Sequence, residues 1–168
     1  MDNCKGLISI QEELDFYVAS KCLEKMVPYF HICGSQYGCG VDLYGLDECL
    51  NPFCVEIKER IKNKENLEKY PWAELKLEKL NRMKMANKSG KLYYMVLLNE
   101  EICYLFDIDK LDWDKINVFS WEIKNCQMSS YSSKGSYMTY QIPFEMADKV
   151  CYCGDYFSDW YKYNYGMD

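Results

Sequence analysis

Nothing in this chain approaches the roughly 18 consecutive apolar residues that a membrane-crossing helix requires, so no span is expected. No secretory signal is expected either, because residues 1–5 lead into only a very short apolar stretch. Without that signal, the ten cysteines do not suggest the disulfide framework of a small secreted protein. They suggest reduced thiols in a cytoplasmic protein, with Cys54 and Cys103 set inside apolar runs, where a thiol acts as a small hydrophobe. No Cys-X-X-Cys pair occurs, and His31 is the one histidine. A zinc site would have to draw on His31, Cys33, Cys39 and Cys151-X-Cys153. No spacing supports a Cys–His nucleophile pair, and the plainer role for His31 is a residue at a helix end. A basic excess is also missing. The net charge is −6 and the pI about 4.9, which counts against a broad, non-specific nucleic-acid footprint. A narrow acidic site is not excluded by that balance, since a bound divalent cation inverts the local field. There is no internal repeat and no interdomain linker. A chain of 168 residues suits one domain that buries a core without staples.

What is present is a patterned α/β chain. Residues 10–30 carry Leu14, Tyr17 or Val18, Cys22, Met26 and Phe30 at three- and four-residue spacing, as in an amphipathic helix. Ser9 is placed to cap that helix, with Glu12 three residues on, and Pro28 to end or kink it. After a glycine-rich stretch at 34–40, residues 41–45 and 53–58 suggest two strands of a hairpin joined by a turn at 47–52. Residues 61–71 form a polar loop or short connector. Leu75, Leu80 and Met83 give 72–88 helical spacing, although its first part also fits an extended segment, and Ser89-Gly90 stops it. Residues 92–98 and 102–108 form a second, apolar hairpin around Asn99-Glu100. A short helix is expected at 110–116. Late strands are expected at 118–123 and 138–142, on either side of a serine-rich loop at 129–136, followed by one or two helical turns at 143–150. Residues 152–168 have too little pattern to place. The expected fold is α/β, one mixed sheet flanked by helices.

Aromatic residues reach 16%, chiefly from sixteen tyrosines. That amphipathic ring surface suits a sheet with a wet face or a stacking surface for bases. The C-terminal tyrosines, with Trp160 among them, are read first as an apolar cover for the sheet and second as a stacking surface for bases or a partner chain. The lysines of 58–64 and 76–88 either track a phosphate backbone or form a solvated charged face.

The segment with chemical content is Val41-Asp42 followed by Val55-Glu56-Ile57-Lys58. Glu56 and Lys58 are two apart on one strand and project from the same face. A hairpin brings Asp42 beside them. Alone, Glu56 and Lys58 would pass for a solvated strand face, and Asp42, between Gly40 and Gly45, for a turn residue. Together they bring two carboxylates and an ammonium to one point. Such a set suits phosphodiester hydrolysis: carboxylate oxygens hold a hard cation, the cation lowers the pKa of a bound water, and the lysine orients that water or stabilises developing negative charge. The carbonyl of Ile57 is placed to face the same cation.

An aspartate, an intervening turn and then Glu-X-Lys on the next strand resembles the PD-(D/E)XK nuclease superfamily. The proline that often precedes the aspartate is Val41 here. The resemblance covers about residues 10–108, with 109–168 as a C-terminal elaboration, and is nearest to small phage and bacterial nucleases and junction resolvases. It implies a restriction-endonuclease-like core in the order helix, three strands, helix, strand, of which the sequence pattern supplies two strands before the second helix. It implies Mg²⁺ or Mn²⁺ as cofactor and DNA as substrate. Asp42, Glu56 and Lys58 would be catalytic, and Asp42, Glu56 and the Ile57 carbonyl would be the metal ligands. A glutamate of the first helix often joins such sites; Glu13 is the closest match by position and Glu24 the alternative. Arg60, Tyr70, Glu78 and Lys79 follow where such proteins often place further polar site residues. Relatives of this kind often act as homodimers. Two other possibilities stay open. One is a catalytically inactive relative that binds nucleic acid or a host or phage protein. The other is an unrelated α/β protein whose cysteines bind zinc.

Overall fold

The structure is a computed structural model that describes residues 3–34, 40–122 and 136–166. Helix α1 (Asn3–Met26) leads into three strands, β1 (Tyr29–Gly34), β2 (Leu43–Asp47) and β3 (Pro52–Arg60). A short helix α2 (Lys64–Lys69), strand β4 (Trp72–Lys76) and helix α3 (Leu77–Ala86) precede the hairpin of β5 (Lys91–Leu98) and β6 (Ile102–Asp107). Strands β7 (Asn117–Glu122), β8 (Ser136–Pro143) and β9 (Lys149–Tyr152) and helix α4 (Gly154–Tyr165) complete the described chain. The protein is α/β. Six strands form a mixed sheet in the order β1-β2-β3-β5-β6-β9, and β4-β8-β7 form a second sheet. Among the described residues, no helix is long and apolar enough to cross a membrane.

Several sequence expectations are corrected by this architecture. The first helix stops at Met26 rather than near residue 30. Proline lacks an N–H and disfavours the helical conformation in the residue before it, so Pro28 turns the chain out into β1, the third strand of the meander. The helix also begins before Ser9, which therefore lies inside it rather than capping it. Residues 72–76 take the extended alternative: Ala73 and Leu75 are buried and alternate with exposed neighbours, the period of a strand. The helix expected at 110–116 is two 3₁₀ turns, Ile108–Lys110 and Trp113–Lys115. Residues 144–146 make one such turn before β9. The unplaced tail is α4, which buries Phe157 and Trp160. A second sheet joins the single one expected. The serine-rich stretch at 129–135 and the glycine-rich residues 35–39, Cys39 among them, lie outside the described residues.

The main sheet is covered on both faces. On one side Leu14, Val18, Cys22 and Leu23 of α1, with Phe157 and Trp160 of α4, pack on Val55, Ile57, Met95 and Leu97. On the other, Leu80 and Met83 of α3 and Leu75 and Ile142 of the second sheet pack on Cys54, Tyr94, Val96 and Phe106. β3 and β5 pair in parallel at the centre. A parallel pair of this kind needs a long crossover connection, which here contains α2, β4 and α3.

Candidate active site

The β2–β3 hairpin sets the geometry. Asp47 Oδ1 accepts hydrogen bonds from the backbone N–H of Cys49 at 2.9 Å and of Asn51 at 2.8 Å, an Asx-type turn that fixes the strand register. Gly45 keeps that register open, because a Cβ there would sit inside the Phe53 ring. Leu43 pairs with Val55, so Asp42, one residue earlier, lies opposite Glu56. Asp42 N–H still donates to the Val55 carbonyl at 3.1 Å. Its side chain then turns back, and Oδ2 accepts the Ile57 N–H at 2.7 Å. The N–H and C=O of one strand residue point to the same side, so the Ile57 carbonyl faces the Asp42 edge as well.

Glu56 is the unusual group. Only 1% of it is exposed, and it shares its face with Tyr94, its register partner on β5. Neither carboxylate oxygen accepts a hydrogen bond. Lys79 of α3 places Nζ 2.9 Å from Oε2, within ion-pair distance but off hydrogen-bond alignment. Lys58 Nζ is 3.8 Å from Oε1. Burial raises the Glu56 carboxyl to about 7, with the neighbouring charge of Asp42 adding to the rise and Lys79 opposing it. Burial dominates because the apolar surroundings cannot solvate the anion, whereas Lys79 is itself partly hydrated. A buried carboxylate in this condition, beside a second carboxylate and a backbone carbonyl, is a donor set that suits a hard divalent cation.

Of the residues expected at the site, Asp42, Glu56, Lys58 and the Ile57 backbone converge. Lys79, named as a further polar candidate, reaches the same carboxylate. Glu13 is exposed. Glu24 lies further along α1 near its C-terminal end, 3.8 Å from Lys21 Nζ and accepting from Tyr29 Oη at 3.3 Å. The helix acid near the site is Asp15. Burial raises its pKa; Gln11 lowers it through a hydrogen bond, Asp42 raises it through like charge, and Lys58 lowers it. Gln11 Nε2 donates to Asp15 Oδ1 at 3.0 Å and to Glu59 Oε2 at 2.6 Å, joining α1 to the end of β3. The signal for Asp15 was present in the sequence. It lies four residues before Ala19, seven before Cys22 and eleven before Met26, all buried, and so falls on the inward stripe of the helix. Arg60 turns its guanidinium to the Glu59 carbonyl at 3.1 Å, Glu78 pairs with Arg82, and Tyr70 stacks edge-on to Trp72 at 5.5 Å.

The trio Asp15, Asp42 and Glu56 is not drawn tight. Among the described residues, the one group of potential ligands with all donor atoms within 4.8 Å of one another is made of cysteines. The site is therefore a carboxylate pair, with Asp15 acting through charge at longer range. No protein-family model matches the chain, and no curated protein matches it either.

Proposed function

We propose that this protein is a Mg²⁺- or Mn²⁺-dependent nuclease of the PD-(D/E)XK type that hydrolyses phosphodiester bonds in DNA. The observation that carries this proposal is Glu56: a carboxylate 1% exposed, held at 2.9 Å by the Lys79 ammonium but, among the described residues, by no aligned hydrogen-bond donor, lying opposite Asp42 and two residues from Lys58. Leaving aside α2 and β4, which lie between β3 and α3, the order α1, β1–β3, α3, β5 follows helix, three strands, helix, strand and supports it, as does the parallel pairing of β3 with β5. Asp42 and Glu56, with the Ile57 carbonyl, would hold the cation. When bound, the cation polarises the phosphate and acidifies a water. Lys58, with its side chain 45% exposed, presents its ammonium to solvent beside the carboxylates. There it orients the attacking water and neutralises charge gathering on the phosphate oxygens. The water oxygen bonds to phosphorus as it gives up a proton to solvent, the bridging P–O bond breaks, and the leaving oxygen takes a proton from solvent, so one water is consumed per bond cut.

The test is cleavage of linear, supercoiled, single-stranded and four-way-junction DNA in Mg²⁺, Mn²⁺ or EDTA, comparing wild type with Glu56→Gln and Lys58→Ala. Metal-dependent cutting is expected in wild type, with a loss on the order of 10²–10³-fold in each variant. Cutting that survives both substitutions rejects the assignment.

A second possibility rests on Lys79. Its ammonium, 2.9 Å from Glu56 Oε2, offers the carboxylate a resident cation, as would suit an inactive relative that binds nucleic acid or a protein. That alternative predicts DNA binding indifferent to EDTA and no cutting on any substrate.

A further inference from the structure

We propose a second metal site, remote in chemistry from the carboxylates: a structural zinc ion held by the thiolates of Cys22, Cys103 and Cys151, with Cys153 completing the tetrahedron. The three Sγ atoms of Cys22, Cys103 and Cys151 already lie within 4.8 Å of one another. Zinc–sulfur bonds of about 2.3 Å in a tetrahedron set the sulfurs roughly 3.8 Å apart, so the site closes with a contraction of about 1 Å or less. Cys103 and Cys151 are direct partners across the β6–β9 ladder, and Cys22 approaches from α1. Cys153, at the N-cap position of α4, places its thiol within reach of Cys22. Its backbone is fixed by an N–H bond to the Glu101 carbonyl at 2.8 Å.

A single buried thiol is ordinary core material. Here three thiols from three separate elements meet at one point, and a fourth, Cys153, borders Cys22. Cys33, Cys49 and Cys54 lie apart from this group: Cys33 and Cys49 are exposed, and Cys54 lies on the opposite face of the sheet. Cys22, Cys103 and Cys153 are fully buried while Cys151 is partly exposed, which gives a closed site with one side open for metal entry. Soft thiolate donors select zinc over the hard cations suited to Asp42 and Glu56. Lys25, one turn beyond Cys22, sits over the Tyr156 ring at 4.9 Å, and its charge reaches Cys22 and Cys151, offsetting part of the negative charge of the thiolates. The ion would tie β9 and α4 to α1, the helix that carries Asp15 toward the carboxylate pair.

The experiment is elemental analysis of the full chain, expressed with zinc supplied and purified under reducing conditions without chelator. It is paired with Co²⁺ substitution of wild type and with zinc release by a mercurial thiol reagent. One zinc per chain is expected. The Co²⁺ form is expected to show the intense visible bands and near-ultraviolet charge transfer of tetrahedral thiolate ligation. Zinc should be lost in Cys22→Ser and Cys103→Ser and kept in Cys33→Ser and Cys49→Ser. The Co²⁺ spectrum of wild type decides the matter even where a serine variant does not fold. Folded, reduced protein without zinc and without the thiolate–cobalt bands overturns the proposal. So do full zinc occupancy in Cys103→Ser, a Cys103–Cys151 disulfide in the purified protein, and iron with acid-labile sulfide in place of zinc.

Discussion

β3 and β5 run side by side in parallel, with Glu56 opposite Tyr94, and both are buried through their middles. β5 fills those positions with Leu92, Met95, Val96, Leu97 and Leu98 and two tyrosines. The hydroxyl of Tyr94, 1% exposed, donates to the Glu74 carbonyl at 2.8 Å. β3 places a carboxylate at the same depth, where among the described residues it meets the Lys79 ammonium at 2.9 Å but no aligned hydrogen-bond donor. Buried polar groups in folded proteins are almost always satisfied. β5 follows that rule where β3 departs from it. Packing accounts for β5. It does not account for Glu56, whose burial opposes folding whenever the group is charged.

The contrast breaks if the two strands respond alike to substitution. Leu97 is fully buried against α1 and α4, and Leu97→Ala leaves a cavity among side chains that cannot all close on it. Its expected cost is about 3 kcal/mol of unfolding free energy, the same in Mg²⁺ as in EDTA, read from denaturant melts in both. A Leu97→Ala loss that depended on Mg²⁺ would place β5 in the site and erase the distinction.

Glu56→Gln is expected to act in the opposite direction. The folded protein raises this carboxyl from an ordinary 4.5 to about 7. A group whose folded pKa is raised holds its proton more tightly in the folded state. Its stabilising effect is complete below about pH 4.5 and is lost as pH rises through about 7. In EDTA, wild type therefore gives up stability across that window, by about 3 kcal/mol as an order of magnitude, and Glu56→Gln does not. At about pH 8, Mg²⁺ should restore wild type and leave the variant unchanged, because ligand binding to the folded state stabilises by mass action. Parallel pH profiles for the two proteins in EDTA would show that Glu56 carries no such burden.

Much of this contrast was legible in the sequence, because both strands are local patterns. Phe53, Val55 and Ile57 alternate with Cys54, Glu56 and Lys58, and the turn residues Asp47 and Asn51 bracket the hairpin. The continuous apolar run of 92–98 reads as a strand covered on both faces. What stayed hidden was non-local or weakly patterned. β1 shows no alternation, with a burial order of intermediate and exposed residues only, so Pro28 alone marked its boundary. The nuclease resemblance singled out Lys79, but its spacing alone reads as a solvated helix face until Leu80 and Met83 dock α3 and bring Lys79 to Glu56. Cys22, Cys103 and Cys151 have no shared spacing. They meet only because β9 pairs with β6 while α1 crosses that end of the sheet. The tail at 154–165 hid a helix behind tyrosines, and the clearest local mark was Gly166, which closes it in the left-handed conformation at φ 61°.

The smallest expected effect sharpens the boundary of the β3 site. Asp15 and Glu13 are two residues apart on α1, yet Asp15 lies on the inward stripe and within the charge field of Asp42 and Lys58, while Glu13 is exposed. Asp15→Asn keeps an oxygen for the Gln11 side-chain amide and removes the negative charge. Apparent Mg²⁺ affinity, read by titrating either cleavage or thermal stabilisation, should fall roughly 10–100-fold, the range for groups that support a metal's ligands rather than bind it. Glu13→Gln should change it by less than the error of the titration, since an exposed carboxylate at the outer side of the helix is screened by water and salt. If Glu13→Gln weakens Mg²⁺ and Asp15→Asn does not, α1 presents a different face to the sheet than the burial of Ala19, Cys22 and Met26 requires. Glu13 would then be the third acid; if neither substitution weakens Mg²⁺, Glu59, already bridged to Asp15 through Gln11, is the next residue to substitute.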